Sequence, residues 1–266
     1  MKRVFIAAAV LLASLPLGAQ TISDPTYDLQ SRTSIGLDWK IVKGLHLEGE
    51  YEMRTRDSFS AFARHQASLG LSYKITDGLK AGVGYTFIYH HKTNAGTWTP
   101  RHRFSAELGY TLKAGDWRFG LKEQVRLTHK TESINEYEGP VNPITLKSRF
   151  RVSYKGWDSI EPYAFVEARN LLNAAGVSAT YSTYTNNWGD YEFLGYGFYP
   201  PYVNRVRGAL GLEWKLSKHH AIDIYAMEDY CYERNIDISK DRITLRTFSY
   251  DPAFNTILGI GYKLSF

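Results

Sequence analysis

Charged side chains recur at every second position in several segments of the chain, a spacing typical of a surface in contact with water. Glu48, Glu50 and Glu52 form an acidic column, because alternate residues of a strand point to the same face. Farther along the chain comes a basic wall, made of Arg101, Arg103, Arg118, Lys122, Arg126, Lys147, Arg149 and Arg151. Stacked like charges are too costly to bury in a protein core or in lipid. Both sets must therefore face water.

The two charge sets allow two interpretations if the strands form a barrel, where they would lie nearly opposite each other. In the first, salt-bridged side chains fill the lumen and only stabilise the barrel. In the second, the lumen is a narrow channel with a transverse field, and its basic wall favours a small anionic solute. The sequence leaves both interpretations open.

Catalytic chemistry has little support in the sequence. A lipid-modifying barrel enzyme would need a serine and a histidine on one face. The nearest pair, His65 and Ser68, is three residues apart, so a strand would point the two side chains to opposite faces. The same rule argues against metal chelation by two adjacent pairs, His90-His91 and His219-His220.

We therefore expect no catalytic residue, no cofactor and no metal. The alternative is a lipid-modifying enzyme with a rim site that the sequence does not locate.

Apolar residues occupy the positions between the charges, as a strand with one lipid-facing side requires. Leu45, Leu47, Tyr51 and Met53 alternate with the acidic column in this way. The same alternation recurs at 27–40, 66–74, 79–89, 101–113, 117–127, 146–155, 205–216, 222–229 and 258–266. Segment 160–171 is less regular and predicts a bulge near Pro162. A soluble β-sandwich would also alternate, but its strands are usually about 5–6 residues long, whereas a membrane strand needs about 9–11.

The connections favour the membrane interpretation. Short turns lie at 41–44, 75–78, 114–116, 156–159 and 217–219, and longer connections lie near 55–64, 91–100, 130–143, 172–202 and 233–254. Outer-membrane barrels alternate short periplasmic turns with long outer loops in this way. One aromatic girdle is predicted beside the short turns, formed by Trp39, Tyr73, Trp117, Tyr154, Trp157, Trp214 and Tyr262.

The longest connection, 172–202, is rich in aromatic residues: Tyr181, Tyr184, Trp188, Tyr191, Phe193, Tyr196, Phe198, Tyr199 and Tyr202. Such a segment can dock a partner, or it can fold back as a plug or pack at the rim. Packing at the rim or plugging is the simpler expectation.

The N-terminal segment predicts export. Lys2 and Arg3 precede an apolar stretch that ends at a small-residue cleavage site, so residues 1–19 are expected to be a signal peptide and 20–266 a single barrel domain. The net charge of +5 could suggest nucleic acid, but an exported protein does not meet it. Cys231, the single cysteine, excludes a disulfide framework.

These features together predict an all-β fold, a transmembrane antiparallel up-and-down β-barrel in the cell outer membrane. Eleven segments alternate convincingly, but bacterial barrels usually have an even number of strands, so we expect about 12, with about 10–12 acceptable. The odd segment count suggests either a weak strand within a long loop or an N-terminus that threads the lumen.

Two resemblances extend this interpretation. The last strand, with Tyr262, Leu264 and the terminal Phe266, resembles the signal that outer-membrane proteins present to the barrel-assembly machinery. Segments 161–167 and 204–208 resemble a family of small barrels of unknown function. These resemblances imply two partners, outer-membrane lipid and the assembly machinery, but no substrate and no catalytic residue.

Overall fold

The structure is a computed structural model that describes residues 21–22, 24–92, 96–134, 139–184, 187–197, 201–238 and 245–266. The signal peptide expected at 1–19 lies outside these residues and stays a prediction. The described chain is all-β, with strands β1 Thr21–Ile22, β2 Thr26–Val42, β3 Leu45–Arg56, β4 Ala61–Lys74, β5 Leu79–Lys92, β6 Thr97–Ala114, β7 Trp117–Lys130, β8 Ile144–Tyr154, β9 Ile160–Leu171, β10 Ala175–Ser182, β11 Asn187–Tyr196, β12 Tyr202–Lys215, β13 His220–Ile238 and β14 Leu245–Ser265. Within these residues, no helix is long and apolar enough to cross a membrane.

Eleven strands close into a barrel, in the order β2 to β9 followed by β12, β13 and β14. Neighbouring strands are antiparallel throughout this series, which confirms the predicted up-and-down barrel. β10 and β11 form a separate two-stranded sheet. The two-residue strand β1, which precedes β2 in the chain, also pairs with β14.

A parallel seam between β2 and β14 closes the barrel. Thr26 pairs with Ala253 at one end of the seam, and Asp38 pairs with Ser265 at the other. With an odd number of alternating strands, the first and the last run in the same direction, so their pairing has to be parallel. Eleven strands lie within the range expected from the sequence. The sequence suggests a hidden strand or an N-terminus inside the lumen as the source of the odd count. In the described residues, the odd count is explained by the parallel seam instead.

The outer surface of the barrel is apolar. Leu69, Leu108, Leu121 and Ile260 are among many large apolar side chains that stay about half exposed in the isolated chain. Their neighbours along each strand point inward instead. A closed barrel leaves no unpaired strand edge, and its exposed apolar side chains require lipid around them. The protein is therefore an integral barrel of the outer membrane.

The predicted aromatic girdle surrounds one end of the barrel, here called the turn end because the short turns lie there. The girdle residues Trp39, Tyr73, Trp117, Trp157, Trp214 and Tyr262 are exposed there, and Tyr154 packs between Trp117 and Trp157, with ring centroids 5.0 and 5.8 Å away. Phe266 also ends at this rim. The opposite end, here called the loop end, carries a second set of outward rings that includes histidines: His65 stacks with Tyr51, and His102 with Tyr85.

Three expected connections and one expected bulge need correction. The long connections expected near 55–64, 91–100 and 233–254 are largely strand, because β3 to β6, β13 and β14 extend beyond the alternating cores. The bulge expected near Pro162 is absent from the pairing of β9, where Pro162 pairs in register with Leu212. Segment 160–171 reads as irregular because its inward face carries aromatic rings, Tyr163 and Phe165, which lie under the guanidinium groups of Arg151 and Arg149.

The aromatic connection after β9 forms the β10–β11 hairpin at the loop end. Ala174, just before the hairpin, is fully buried with Tyr202, Tyr232 and Tyr250, and the last two rings stack at 4.5 Å. Alternation from the inward-facing Asp229 and Asn255 places Tyr232 and Tyr250 on the outer face of β13 and β14. This contact is rim packing. The side chains of Tyr181, Trp188 and Tyr191, and residues Phe198 and Tyr199, lie outside the described part.

Candidate functional site

The barrel encloses a polar cavity of about 630 Å³, to which all eleven barrel strands contribute residues. It runs from Asp38 and Lys263 near the turn end to Arg54, Arg103 and Arg126 toward the loop end. Strand alternation explains this lining, since each strand that presents apolar side chains to lipid presents its polar set to the lumen.

The acidic column lines this cavity, as the alternation predicts. Glu48 accepts hydrogen bonds from Lys80 at 2.5 Å and from Ser72 at 2.7 Å. Glu52 accepts from Arg54 at 2.5 Å and from Gln66 at 3.0 Å.

Glu50 lies on β3, whereas Lys147 and Arg149 lie on β8, which is five strands away in one direction around the barrel and six in the other. The acidic column and part of the basic wall therefore do face each other.

Most of the basic wall also lines the cavity: Arg103, Lys122, Arg126, Lys147, Arg149 and Arg151. Two members do not. Arg101 lies toward the loop end and is paired with Glu132, and Arg118 lies at the turn end, where it donates hydrogen bonds to the backbone carbonyls of Gly115 and Trp117.

Several members of the wall are bound within the protein, which the strand pattern could not indicate. Lys122 pairs with Glu107 at 2.6 Å. Lys147 and Arg149 both bind Glu167, at 2.8 and 2.5 Å. These cations stabilise a neighbouring carboxylate, so they are less available to a solute.

A buried network of charges joins β9, β12 and β13. Arg207 donates to Glu167 Oε1 at 3.0 Å and to Asp229 Oδ2 at 3.1 Å. Asp229 also lies 3.7 Å from Arg32 and 3.5 Å from Arg205. Glu167 and Asp229 are 2% and 3% exposed. The network lies on the face that sequence alternation assigned to the lumen, but its pairing depends on register.

Arg103, Arg126 and Arg151 line the cavity without an ion pair to any described residue, and Arg151 instead lies 3.8 Å from the ring centroid of Tyr163. Arg103 Nε donates to Thr128 Oγ1 at 3.0 Å, and Arg126 Nε donates to Gln124 Oε1 at 2.6 Å. Both partners are neutral, and neither arginine makes an ion pair with any described residue. Their terminal NH₂ groups therefore remain available to an anion in the lumen.

Cations outnumber anions along the cavity. The lining cations are Arg32, Arg54, Lys80, Arg103, Lys122, Arg126, Lys147, Arg149, Arg151, Arg207 and Lys263. The lining anions are Asp38, Glu48, Glu50, Glu52, Glu107, Glu213 and Asp223. Four of these cations, Arg32, Lys147, Arg149 and Arg207, are paired with Glu167 or Asp229, which lie behind the cavity lining. The charge excess that remains is small and positive, and a low-dielectric barrel focuses such a charge within its lumen.

The residues considered for catalysis are not brought together. His65 lies on the outer face against Tyr51, whereas Ser68 faces the lumen and bonds Thr86. Within the described residues, no group of three or more His, Cys, Asp or Glu side chains could hold a metal ion.

Comparison with known proteins places this barrel in a family. A family model described as a protein of unknown function, DUF2490, matches residues 29–239, from β2 to the end of β13. The chain belongs to the DUF2490 family. The resemblance that segments 161–167 and 204–208 suggested is thereby confirmed. No curated protein has a sequence that matches this DUF2490 chain.

Several solved outer-membrane barrels are similar to the DUF2490 chain in fold. The NanC porin is 12% identical with a TM-score of 0.42, over 84% of this chain and 95% of that one. The β-domain of the Bordetella autotransporter BrkA is 16% identical with a TM-score of 0.36, over 86% of each chain. OmpT of Vibrio cholerae is 13% identical with a TM-score of 0.35, over 78% of this chain and 57% of that one.

The two segments that suggested the family lie on neighbouring strands of this DUF2490 barrel. Segment 161–167 belongs to β9 and segment 204–208 to β12, and Glu167 pairs with Arg207 in register. The segments therefore supply the centre of the buried charge network.

Proposed function

We propose that this protein forms a narrow outer-membrane channel whose lumen favours small anions. The observation that carries the proposal is the excess of cations along the lumen cavity, together with arginines, Arg103 and Arg126, that have no ion-pair partner among the described residues. Unpaired guanidinium groups in a polar cavity attract and coordinate anions, whereas paired ones mainly stabilise the wall.

The acidic column does not cancel this preference. Glu48 and Glu52 are bound to Lys80 and Arg54, so their charges are locally neutralised. Glu50 makes no ion pair with any described residue, so it keeps a negative charge on the β3 side of the lumen. The positive charge available to a solute lies at Arg103 and Arg126, which also make no ion pair with a described residue.

A structural barrel that does not conduct is the second candidate, and the ion-pair network around Glu167 and Asp229 favours it. Such networks fill the interiors of small barrels and stabilise them. The two candidates differ in one property, which is whether ions cross the lumen.

Reconstitution of the purified barrel into planar lipid bilayers tests the proposal. We expect discrete single-channel currents and, in a potassium chloride gradient, a reversal potential with the sign of chloride selectivity. Absence of current from protein that is demonstrably folded would contradict the channel and favour the structural barrel. A reversal potential with the sign of potassium selectivity would contradict the proposed electrostatics.

A further inference from the structure

Arg64 is a lumen arginine that the basic wall does not include. It lies on β4, two residues before the buried Gln66, and therefore points inward. Its register partner on β3 is Arg54, so two guanidinium groups project into the lumen from directly opposed positions. Like charges at opposed positions destabilise a sheet unless something neutralises them.

Arg54 and Arg64 differ in how they are compensated. Arg54 is bound to Glu52 at 2.5 Å, so its charge has a partner. Arg64 makes no ion pair and no side-chain hydrogen bond with any described residue. Its side chain keeps some solvent exposure, and it lies just beyond the residues that line the cavity, toward the loop end.

Arg64 and Arg103 lie among other arginines. The strongest electrostatic neighbours of Arg64 are Arg54, Arg103, Arg101 and Arg205. Those of Arg103 are Arg126, Arg54, Arg169 and Arg101. Most of these neighbours are themselves paired with carboxylates: Arg54 with Glu52, Arg101 with Glu132, and Arg169 and Arg205 with Glu233. Arg64, Arg103 and Arg126 are not paired with any described carboxylate.

We propose that Arg64 and Arg103, flanked by Arg54 and Arg126, form a binding site for a small oxyanion such as a phosphate or carboxylate group. Guanidinium groups present planar forks of N–H donors that match such oxygens. Bound there, the anion neutralises the like-charged pair Arg54 and Arg64. The free NH₂ groups of Arg103 and Arg126 supply further donors. The site deepens the proposed channel function and rests on it, since the anion must reach the lumen.

Equilibrium binding of inorganic phosphate tests the site, using the full barrel in detergent at constant ionic strength. We expect saturable binding by the wild type. Arg64→Gln and Arg103→Gln should each weaken it at least about tenfold, the effect of losing one charge-assisted hydrogen bond. Arg64→Lys should fall between Arg64→Gln and the wild type, since it keeps the charge but loses the fork.

Arg118→Gln is the matched control, because it removes the same charge at the turn end and should leave phosphate affinity unchanged. An equal loss in this variant would mean that phosphate responds only to net charge and would overturn the site, as would absence of saturable binding by the wild type.

The stability of Arg64→Gln separates a binding role from a structural one. Without phosphate, this variant should unfold at the same or a higher denaturant concentration than the wild type, since it relieves repulsion with Arg54. With phosphate, only the wild type should gain stability, because a ligand that binds the folded state stabilises it. A large loss of stability without phosphate would show that Arg64 supports the fold and would overturn the site.

The binding assay measures no current, so its failure is distinct from failure of the channel. A barrel that binds phosphate but does not conduct would contradict only the channel. An anion-selective channel without saturable phosphate binding would contradict only the site.

Discussion

Arg207 donates a hydrogen bond to Glu167 at 3.0 Å, and these two residues are register partners on β12 and β9. The same carboxylate binds Lys147 and Arg149 from β8. Three strands are thus joined through one side chain that is almost inaccessible to solvent. Glu167 therefore bridges β8, β9 and β12 on this side of the lumen.

Replacing Glu167 with glutamine should destabilise the barrel by about 3 kcal/mol, since removing one partner of a buried charge network leaves the others uncompensated. Denaturant titration of the folded barrel in lipid vesicles measures this change. Glu48→Gln is the control, because Glu48 and Lys80 are both substantially exposed to the lumen, and such pairs contribute about 0–1 kcal/mol. Equal costs for the two variants would show that Glu167 is not the organising anion.

Leu108 tests which face of β6 meets lipid. Leu108 and Leu112 are both about half exposed on the outer surface, and Leu112 lies closer to the turn end. Leu108→Arg should cost about 2–4 kcal/mol near the bilayer midplane, whereas Leu112→Arg should cost about 0–1 kcal/mol near the interface. A denaturant titration of the folded barrel measures both losses of stability. Equal losses for the two substitutions would contradict the placement of Leu108 near the bilayer midplane.

Cross-linking tests the parallel seam. Thr33 and Ile260 are register partners across β2 and β14, and both point outward. In a Cys231→Ser background, Thr33→Cys with Ile260→Cys should form a disulfide on oxidation, because paired residues of adjacent strands lie within bonding range. Leu37→Cys with Ile260→Cys should not, because four residues along a strand is about 13 Å. The reverse outcome, detected by electrophoretic mobility, would rule out this closure.

The C-terminal phenylalanine completes the seam. Phe266 donates its backbone N–H to Asp38 at 2.9 Å and accepts a hydrogen bond from Lys40 at 3.0 Å, and its ring stacks on His219. Deleting Phe266 should reduce the heat-modifiable barrel recovered in the outer-membrane fraction, since it removes the last pairing and the terminal apolar side chain. Phe266→Tyr should assemble normally. Full recovery after the deletion would contradict an assembly role.

Alternation in the sequence predicted the barrel, its strands and the girdle, because a strand between lipid and water must change polarity at every residue. Alternation specifies faces but not neighbours. The eleven alternating segments did imply a parallel closure between β2 and β14, but the even strand number usual in bacterial barrels argued for a twelfth strand instead. The β10–β11 hairpin was also missed as a hairpin, because segments outside the membrane are free of the alternation that marked the barrel strands.

The charges show the same division. The sequence placed Glu48, Glu50 and Glu52 on the lumen face, but it could not show that Lys147 and Arg149 are held by Glu167, which depends on the register of β8 with β9. Arg64 was missed altogether, because the alternating segment on its strand was taken to begin at Gln66. Arg64 matters because it makes no ion pair with any described residue, and ion pairing depends on strand register, which only the structure shows.

Ion selectivity of a lumen variant tests most directly whether arginines without an ion-pair partner set an anion preference. The double variant Arg103→Gln with Arg126→Gln should keep single-channel conductance in planar bilayers, because neither side chain carries an ion pair in the described barrel, yet its reversal potential in a salt gradient should shift away from chloride selectivity. Arg118→Gln should behave as the wild type does. A double variant whose reversal potential equals that of the wild type would contradict the account.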